Sequence, residues 1–237
     1  CIRDRYKRND YELCLESVYG IPEFNQKEIK KSRIIACPGC YPTSALIPLI
    51  PFALQGIIES EGIIIDSKSG ISGGGRTAKE HLLYSEAGEG ISAYGLLTHR
   101  HTSEIQQILS HVSGLNIQLI FTPHLIPIVR GMFSTIYGRL KDPGLTADDC
   151  KILLDNFYRN YENVKVLPVG IYPSSKWVKN SNDIYISVNV DNRSGKIILL
   201  STIDNLLKGQ AGQAVQNLNL ISGLQHNEGL DLTTFYP

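Results

Sequence analysis

Asp183 to Val190 (DIYISVNV) has a side-chain period of two, and beyond the turn Asn192-Arg193-Ser194-Gly195 the run Lys196 to Ile203 reads as a second strand. Such alternation points one set of apolar side chains to a single face, and a slip of one residue would turn every one of them outward. With so short a connection the two runs read as an antiparallel hairpin. An all-helical fold is thereby excluded. Asn116 to Thr122 and Phe133 to Leu140 alternate well enough for further strands, and Gly62 to Asp66 (GIIID) is a β-branched run that reads as a buried one. A short apolar strand is expected at Arg33 to Ala36, after a helix-like stretch ending in the basic patch Lys27 to Lys31. Helices are expected over Ser44 to Gln55, Thr102 to Ser110, from the N-cap Thr146 with Asp148 and Asp149 to about Tyr158, and from about Gly209 to Leu220. Pro48 and Pro51 should kink the first of these or force part of it out of regular helix. Strands joined by hairpin-like turns, with a few helices, favour an α+β fold: a mostly antiparallel sheet covered by helices.

The chain is long enough, at 237 residues, for one large domain or two small ones. Lys+Arg and Asp+Glu both total 23, so bulk charge attracts neither nucleic acid nor an anionic membrane. No apolar run approaches the ~18 residues needed to span a bilayer. Neither class of partner is expected. Five cysteines (Cys1, Cys14, Cys37, Cys40, Cys150) make a poor disulfide framework and suit a reducing compartment. That points to the cytoplasm and leaves a plastid or mitochondrion open. The chain opens on Cys1 rather than Met, with mixed polar residues to Glu12, and reads as a piece of something longer.

Cys40 follows a strand and a Pro-Gly turn and stands just ahead of an apolar helix. Backbone N–H groups and the positive helix end aimed at the sulfur would lower its pKa and favour a thiolate nucleophile. The plain alternative is a small buried hydrophobe. With Cys37 it forms C-x-x-C, compatible with a redox dithiol or half a zinc site, but no second pair follows at finger spacing and no metal is expected. The loop Ser67 to Gly75 (SKSGISGGG) clusters glycines, including Gly70 and Gly73, that could let backbone approach an anion; Ser69, Ser72 and Arg76 add donors. A flexible surface loop explains the same residues. His99-Arg100-His101 precedes a helix and offers a proton shuttle and a carboxylate or phosphate grip, or else solvated residues at a helix start. His124 and Arg130 flank another unusual stretch. Asn205, Lys208 and Gly209 stand where a strand gives way to the last helix. His81, His111 and His226 read as surface residues.

Six segments in this order resemble N-acetyl-gamma-glutamyl-phosphate reductases: VYGIPEFN (Val18 to Asn25), CPGCYPT (Cys37 to Thr43), IIIDSKSGISGGGR (Ile63 to Arg76), AYGLLTHRHTSEI (Ala93 to Ile105), FTPHLIPIVRGM (Phe121 to Met132) and DNLLKGQAGQAVQNLN (Asp204 to Asn219). The resemblance implies a glyceraldehyde-3-phosphate dehydrogenase-like catalytic domain and NADP-dependent reduction of N-acetyl-glutamyl phosphate to the semialdehyde, in arginine biosynthesis, through a thioester on Cys40. It implies proton transfer by His101 with His99 nearby, substrate contacts from Arg100, His124, Arg130, Ser69, Ser72 and Arg76, and cofactor contacts from Gly70, Gly73, Asn205 and Gly209. A homo-oligomer is implied too. The alternatives are a related aspartate-semialdehyde dehydrogenase-type enzyme and a non-catalytic Cys-x-x-Cys module. Cys37 stands where the family usually has Asn, and Gln210 where it usually has Ala. The family's Gly-rich dinucleotide turn is missing. Residues 1–36 are therefore expected to be a remnant of a Rossmann cofactor domain, 37–202 the catalytic domain, and 203–237 a segment packing back on the cofactor domain.

Overall fold

The computed structural model describes residues 11–77 and 79–231; Cys1 and the His81 side chain lie outside the described part. In chain order the helices are α1 (Tyr11–Glu16), α2 (Pro22–Ile29), α3 (Cys40–Leu54), α4 (Tyr84–Ala87), α5 (Arg100–Ser113), α6 (Ala147–Tyr158) and α7 (Gly212–Ile221). The strands are β1 (Val18–Tyr19), β2 (Ile35–Ala36), β3 (Ile63–Gly70), β4 (Ser92–Ala93), β5 (Leu119–Ile126), β6 (Met132–Arg139), β7 (Val164–Val166), β8 (Ile184–Asp191) and β9 (Lys196–Ile203). β1 and β2 form a small parallel pair, and the other strands make one sheet in the order β4-β5-β3-β6-β9-β8-β7. The expected hairpin is β8–β9, antiparallel with Ile184 opposite Ile203 and Asp191 opposite Lys196. The sheet is mixed: β3 runs parallel to β5 and β7 to β8, and the remaining neighbours are antiparallel.

One face of this sheet is covered by α3, which packs on β6 and β9 and is flanked by α5 and α6. α3 is buried along Tyr41–Ala53, as an all-apolar helix must be. It runs unbroken through Pro48 and Pro51, against the expectation of a kink. A proline cannot donate to the carbonyl four residues back. The carbonyl orphaned by Pro51 belongs to Ile47, and it accepts a hydrogen bond from the Tyr158 hydroxyl on α6 instead. Tertiary packing thus supplies what the helix lacks. β3 also extends past its expected end, through Ser67 to Gly70, because those residues pair on both sides with β5 and β6. Their polarity is absorbed in place: Ser44 bonds Ser134 (2.8 Å) and Ser201 (3.1 Å), and Ser67 bonds Ser134 (2.7 Å), all four wholly buried.

α6 starts with the expected cap at Thr146, closed reciprocally by Asp149. The last helix begins later than its sequence pattern indicates. Leu207–Ala211 is a π-helical turn, with Gly209 N–H donating to the Asp204 carbonyl (3.0 Å) and Ala211 N–H to that of Leu206 (2.9 Å). α7 then packs on α2, and Gln213 Nε2 donates to the Gly20 carbonyl (3.2 Å).

Candidate active site

Cys40 is the first residue of α3, behind the extended N-cap Gly39. Residues 37–39 are extended rather than turned, so Cys37 and Cys40 do not close on each other. Cys37 is exposed, and its sulfur accepts from Asn217 Nδ2 at 3.7 Å. Both are free thiols, and among the described residues no His, Cys, Asp and Glu cluster in a metal-holding group. Burial pushes the Cys40 thiol up to about 11, and the N–H groups of Tyr41 and Cys40 pull it back only in part. The expected thiolate is therefore not the resting state. Loss of water around the sulfur outweighs the helix end, so Cys40 needs a base.

Two clefts meet at Cys40. The first, of about 510 Å³, is walled by side chains that include Tyr41, Tyr94, His99, Lys79 and Leu82. The second, of about 430 Å³, is lined by the small residues Gly39, Gly209, Ala211 and Ala214 together with side chains that include Glu104, Asn205, Leu206 and Gln210. Cys40, Gly73, Arg100 and His101 border both.

His101 lies directly on the loop before the nucleophile. A Cβ on Gly39 would sit 2.4 Å from His101 Nε2, so only glycine admits the ring. Burial, aided by His99 and Arg100, lowers the His101 pKa to about 3, which keeps the ring neutral. Its Nδ1 has no hydrogen-bond partner among the described residues. His99 is used differently: its Nδ1 caps α5 by accepting from the His101 N–H (3.2 Å). Its ring packs edge-on against Tyr41, Tyr94, Phe121 and His101.

Arg100 is exposed at the junction of the clefts. Gly73 sits in the short 3-10 turn Ile71–Gly74. Asn205 holds that turn in place: its Nδ2 donates to Ser72 Oγ (3.0 Å) while its Oδ1 accepts from Gly131 N–H (2.8 Å). Gly209 presses on the nucleophile, where an added Cβ would meet Cys40 Cβ at 2.7 Å.

Other candidates fall outside the cleft walls. Gly70 allows close packing of backbone, its missing Cβ falling 2.8 Å from the carbonyls of Ile128 and Val129. Ser69 is buried and donates to the Gly70 carbonyl. Arg76 is exposed and borders neither cleft. Arg130 is tied to Asp204 (2.8 Å) and Asn180 (2.8 Å), and His124 Nδ1 lies 3.1 Å from Asp66.

Two further features lack a local sequence signal, and the sequence marks the position of a third, Lys208, but not its partners. Glu104 is buried beside the second cleft; its Oε1 accepts from the Tyr19 hydroxyl (2.7 Å) and the Gly39 N–H (3.4 Å), and burial raises its pKa. The Tyr94 hydroxyl donates to that of Tyr41 (3.0 Å). Lys208, fully buried, reaches Glu23 (2.6 Å) and Gln216 (2.7 Å). Burial alone would push Glu23 up, but the Lys208 ammonium and Asn163 more than reverse this and hold it ionised. Gln216 also meets His226 (3.1 Å), which is buried rather than at the surface as its sequence context indicates.

The site thus joins a cysteine at a helix N-terminus, a buried neutral histidine against the loop before it and a mixed sheet behind them. The semialdehyde dehydrogenase dimerisation-domain family model matches residues 40–205, and the chain belongs to that family. It is 70% identical over 233 residues to the N-acetyl-gamma-glutamyl-phosphate reductase of Prochlorococcus marinus strain MIT 9515, and 69% over 232 residues to that of strain MIT 9301. Each match covers 98% of this chain and 66% of the relative, so the chain spans just under two thirds of their length. Among solved structures, the aspartate semialdehyde dehydrogenase II of Vibrio cholerae superposes with a TM-score of 0.69 at 17% identity, over 90% of this chain and 70% of that one. That likeness is one of fold.

Proposed function

We propose that this chain is the catalytic part of an NADP-dependent N-acetyl-gamma-glutamyl-phosphate reductase of arginine biosynthesis. One observation carries the reading: Cys40 stands where two clefts meet, with a neutral imidazole beside its loop. The net reaction takes acyl phosphate, NADPH and a proton to semialdehyde, phosphate and NADP. His101 removes the thiol proton, and the sulfur attacks the acyl carbon and expels phosphate, leaving a thioester on Cys40. The Cys40 and Tyr41 N–H groups stabilise charge on the sulfur. When the C–S bond breaks, the aldehyde leaves with its carbonyl re-formed and the proton held on His101 returns to the Cys40 sulfur. His99 keeps α5 and the imidazole in place.

Arg100 takes the phosphate at the reacting end. Ser69, Ser72, His124 and Arg130 act through their neighbours by shaping the turn that carries Gly73. The second cleft fits a flat ring on the side where Gly209, Ala211 and Ala214 line it, with the polar side chains of Glu104, Asn205 and Gln210 also in its wall. A nicotinamide bound there supplies hydride. Residues 1–36 and 203–237 belong with a cofactor domain whose phosphate-binding turn is not in this sequence, and the protein works as a soluble cytoplasmic homo-oligomer. No described helix is long and apolar enough to cross a membrane.

The test is an assay of the protein carrying the cofactor-binding portion that its relatives have. N-acetylglutamate semialdehyde, phosphate and NADP should give NADPH, and Cys40→Ser should abolish it. Turnover that survives in Cys40→Ser would overturn the reading.

A further inference from the structure

The first cleft carries a charge pattern that thioester chemistry alone does not require. Its described lining includes two cations, Lys79 and Arg100, and no Asp or Glu. Among the described residues neither cation has a carboxylate within ion-pair distance. Arg100 borders both clefts beside Cys40, whereas Lys79 borders only the first. The same lining includes the apolar or aromatic Leu82, Leu125 and Tyr94. The carboxylate of Glu104 faces the second cleft and is already engaged by Tyr19 and Gly39.

Resting on the acyl-phosphate reading above, we propose that Lys79 is a specificity-determining residue. It takes the α-carboxylate at the far end of the substrate while Arg100 takes the phosphate at the reacting end, and the carboxylate-free cleft restricts the enzyme to acyl phosphates whose α-amine is acylated. An N-acylated substrate has two anionic ends and a neutral amide between them. Arg100, which borders both clefts, and Lys79, which borders only the first, offer a cation for each end, and the apolar lining residues match the acyl group. A free α-amine adds an ammonium that would face both cations with no counter-ion, so like charges are brought together where solvent is partly excluded. Discrimination comes as much from the missing carboxylate as from the lysine.

The experiment compares, in the protein with its cofactor-binding portion, the phosphate- and NADP-dependent oxidation of N-acetylglutamate semialdehyde with that of aspartate semialdehyde, whose amine is free. The unaltered protein should favour the acylated aldehyde by a factor of at least ~100 in kcat/KM. Lys79→Met should raise KM for it by about 10- to 100-fold with kcat little changed, and Lys79→Arg should restore most of the loss. Lys79→Glu should narrow the preference by more than about tenfold by giving the amine a partner. Lys79 is exposed, so these variants should fold; Lys79→Gln with a urea midpoint provides the check. An unchanged KM in Lys79→Met, or equal use of the free-amine aldehyde by the unaltered protein, would overturn the assignment while leaving the reductase reading intact. An unaltered protein that oxidises neither aldehyde would overturn the reductase reading and this inference with it.

Discussion

The two clefts that meet at Cys40 differ in what lines them. The first carries tyrosines, histidines, a lysine and an arginine. The second mixes Gly39, Gly209, Ala211 and Ala214 with the side chains of Glu104, Asn205, Leu206 and Gln210, and Lys208, next to Gly209, is anchored away from that lining by Glu23 and Gln216. The difference teaches where each kind of recognition comes from. Side chains select among small substrates by charge and shape. The small residues around Gly209 admit a flat group close to the sulfur, but that segment is held by partners elsewhere, Glu23 and Gln216 acting through Lys208.

The comparison predicts that the second cleft breaks most severely from behind. Lys208→Met leaves the Glu23 carboxylate buried without its cation and should cost about 3–5 kcal/mol in urea denaturation. Adding Glu23→Leu should recover most of that loss. If the single variant is as stable as the original, the cluster is not what holds the cleft.

Gly209→Ala sharpens the contrast, because the new methyl must displace Cys40. We expect kcat to fall about a hundredfold with little change in the urea midpoint, since a nucleophile moved by about 1 Å is enough for that. An unaltered kcat would show that the cleft is looser than its geometry.

The first cleft should answer to pH. Burial holds His101 neutral down to about 3, against an ordinary histidine value of 6.5. Between those values an unfolded chain takes up a proton that the folded one refuses, so stability falls as pH drops from 6.5 toward 3. His101→Gln should flatten that part of the curve, read as urea midpoints at about pH 7.5 and about pH 4.5. An identical slope in the variant would assign the acid sensitivity to other groups. The smallest effect is expected at His99→Ala, which removes the α5 cap and should cost about 1 kcal/mol by thermal or urea unfolding.

How much of this was legible from residues alone varies with distance along the chain. The β8–β9 hairpin and the Thr146 cap are local: alternation, a four-residue turn and a Thr three residues before an Asp specify them, and they formed as read. The nucleophile's place at a helix start was legible for the same reason. The ionisation of Cys40 was not. A helix end acts over one turn and can be read in sequence, but the desolvation that outweighs it comes from elements packed around the sulfur. The prolines of α3 misled because the donor that rescues the Ile47 carbonyl is 111 positions away, on α6. β3 ran longer than its apolar stretch because serine partners on β6 and α3 made its polar end tolerable.

The sequence by itself determined the period of the strands, the caps of the helices and the motifs that join this chain to its family, since each depends on neighbours a few residues apart. Tertiary structure alone decided that Lys208 would pair with Glu23 across 185 positions, that Gly39 would lie beneath the His101 ring, and that two clefts of different make would converge on one sulfur. Burial and like or opposite charge act through space, and no local pattern records which distant residues packing will bring together.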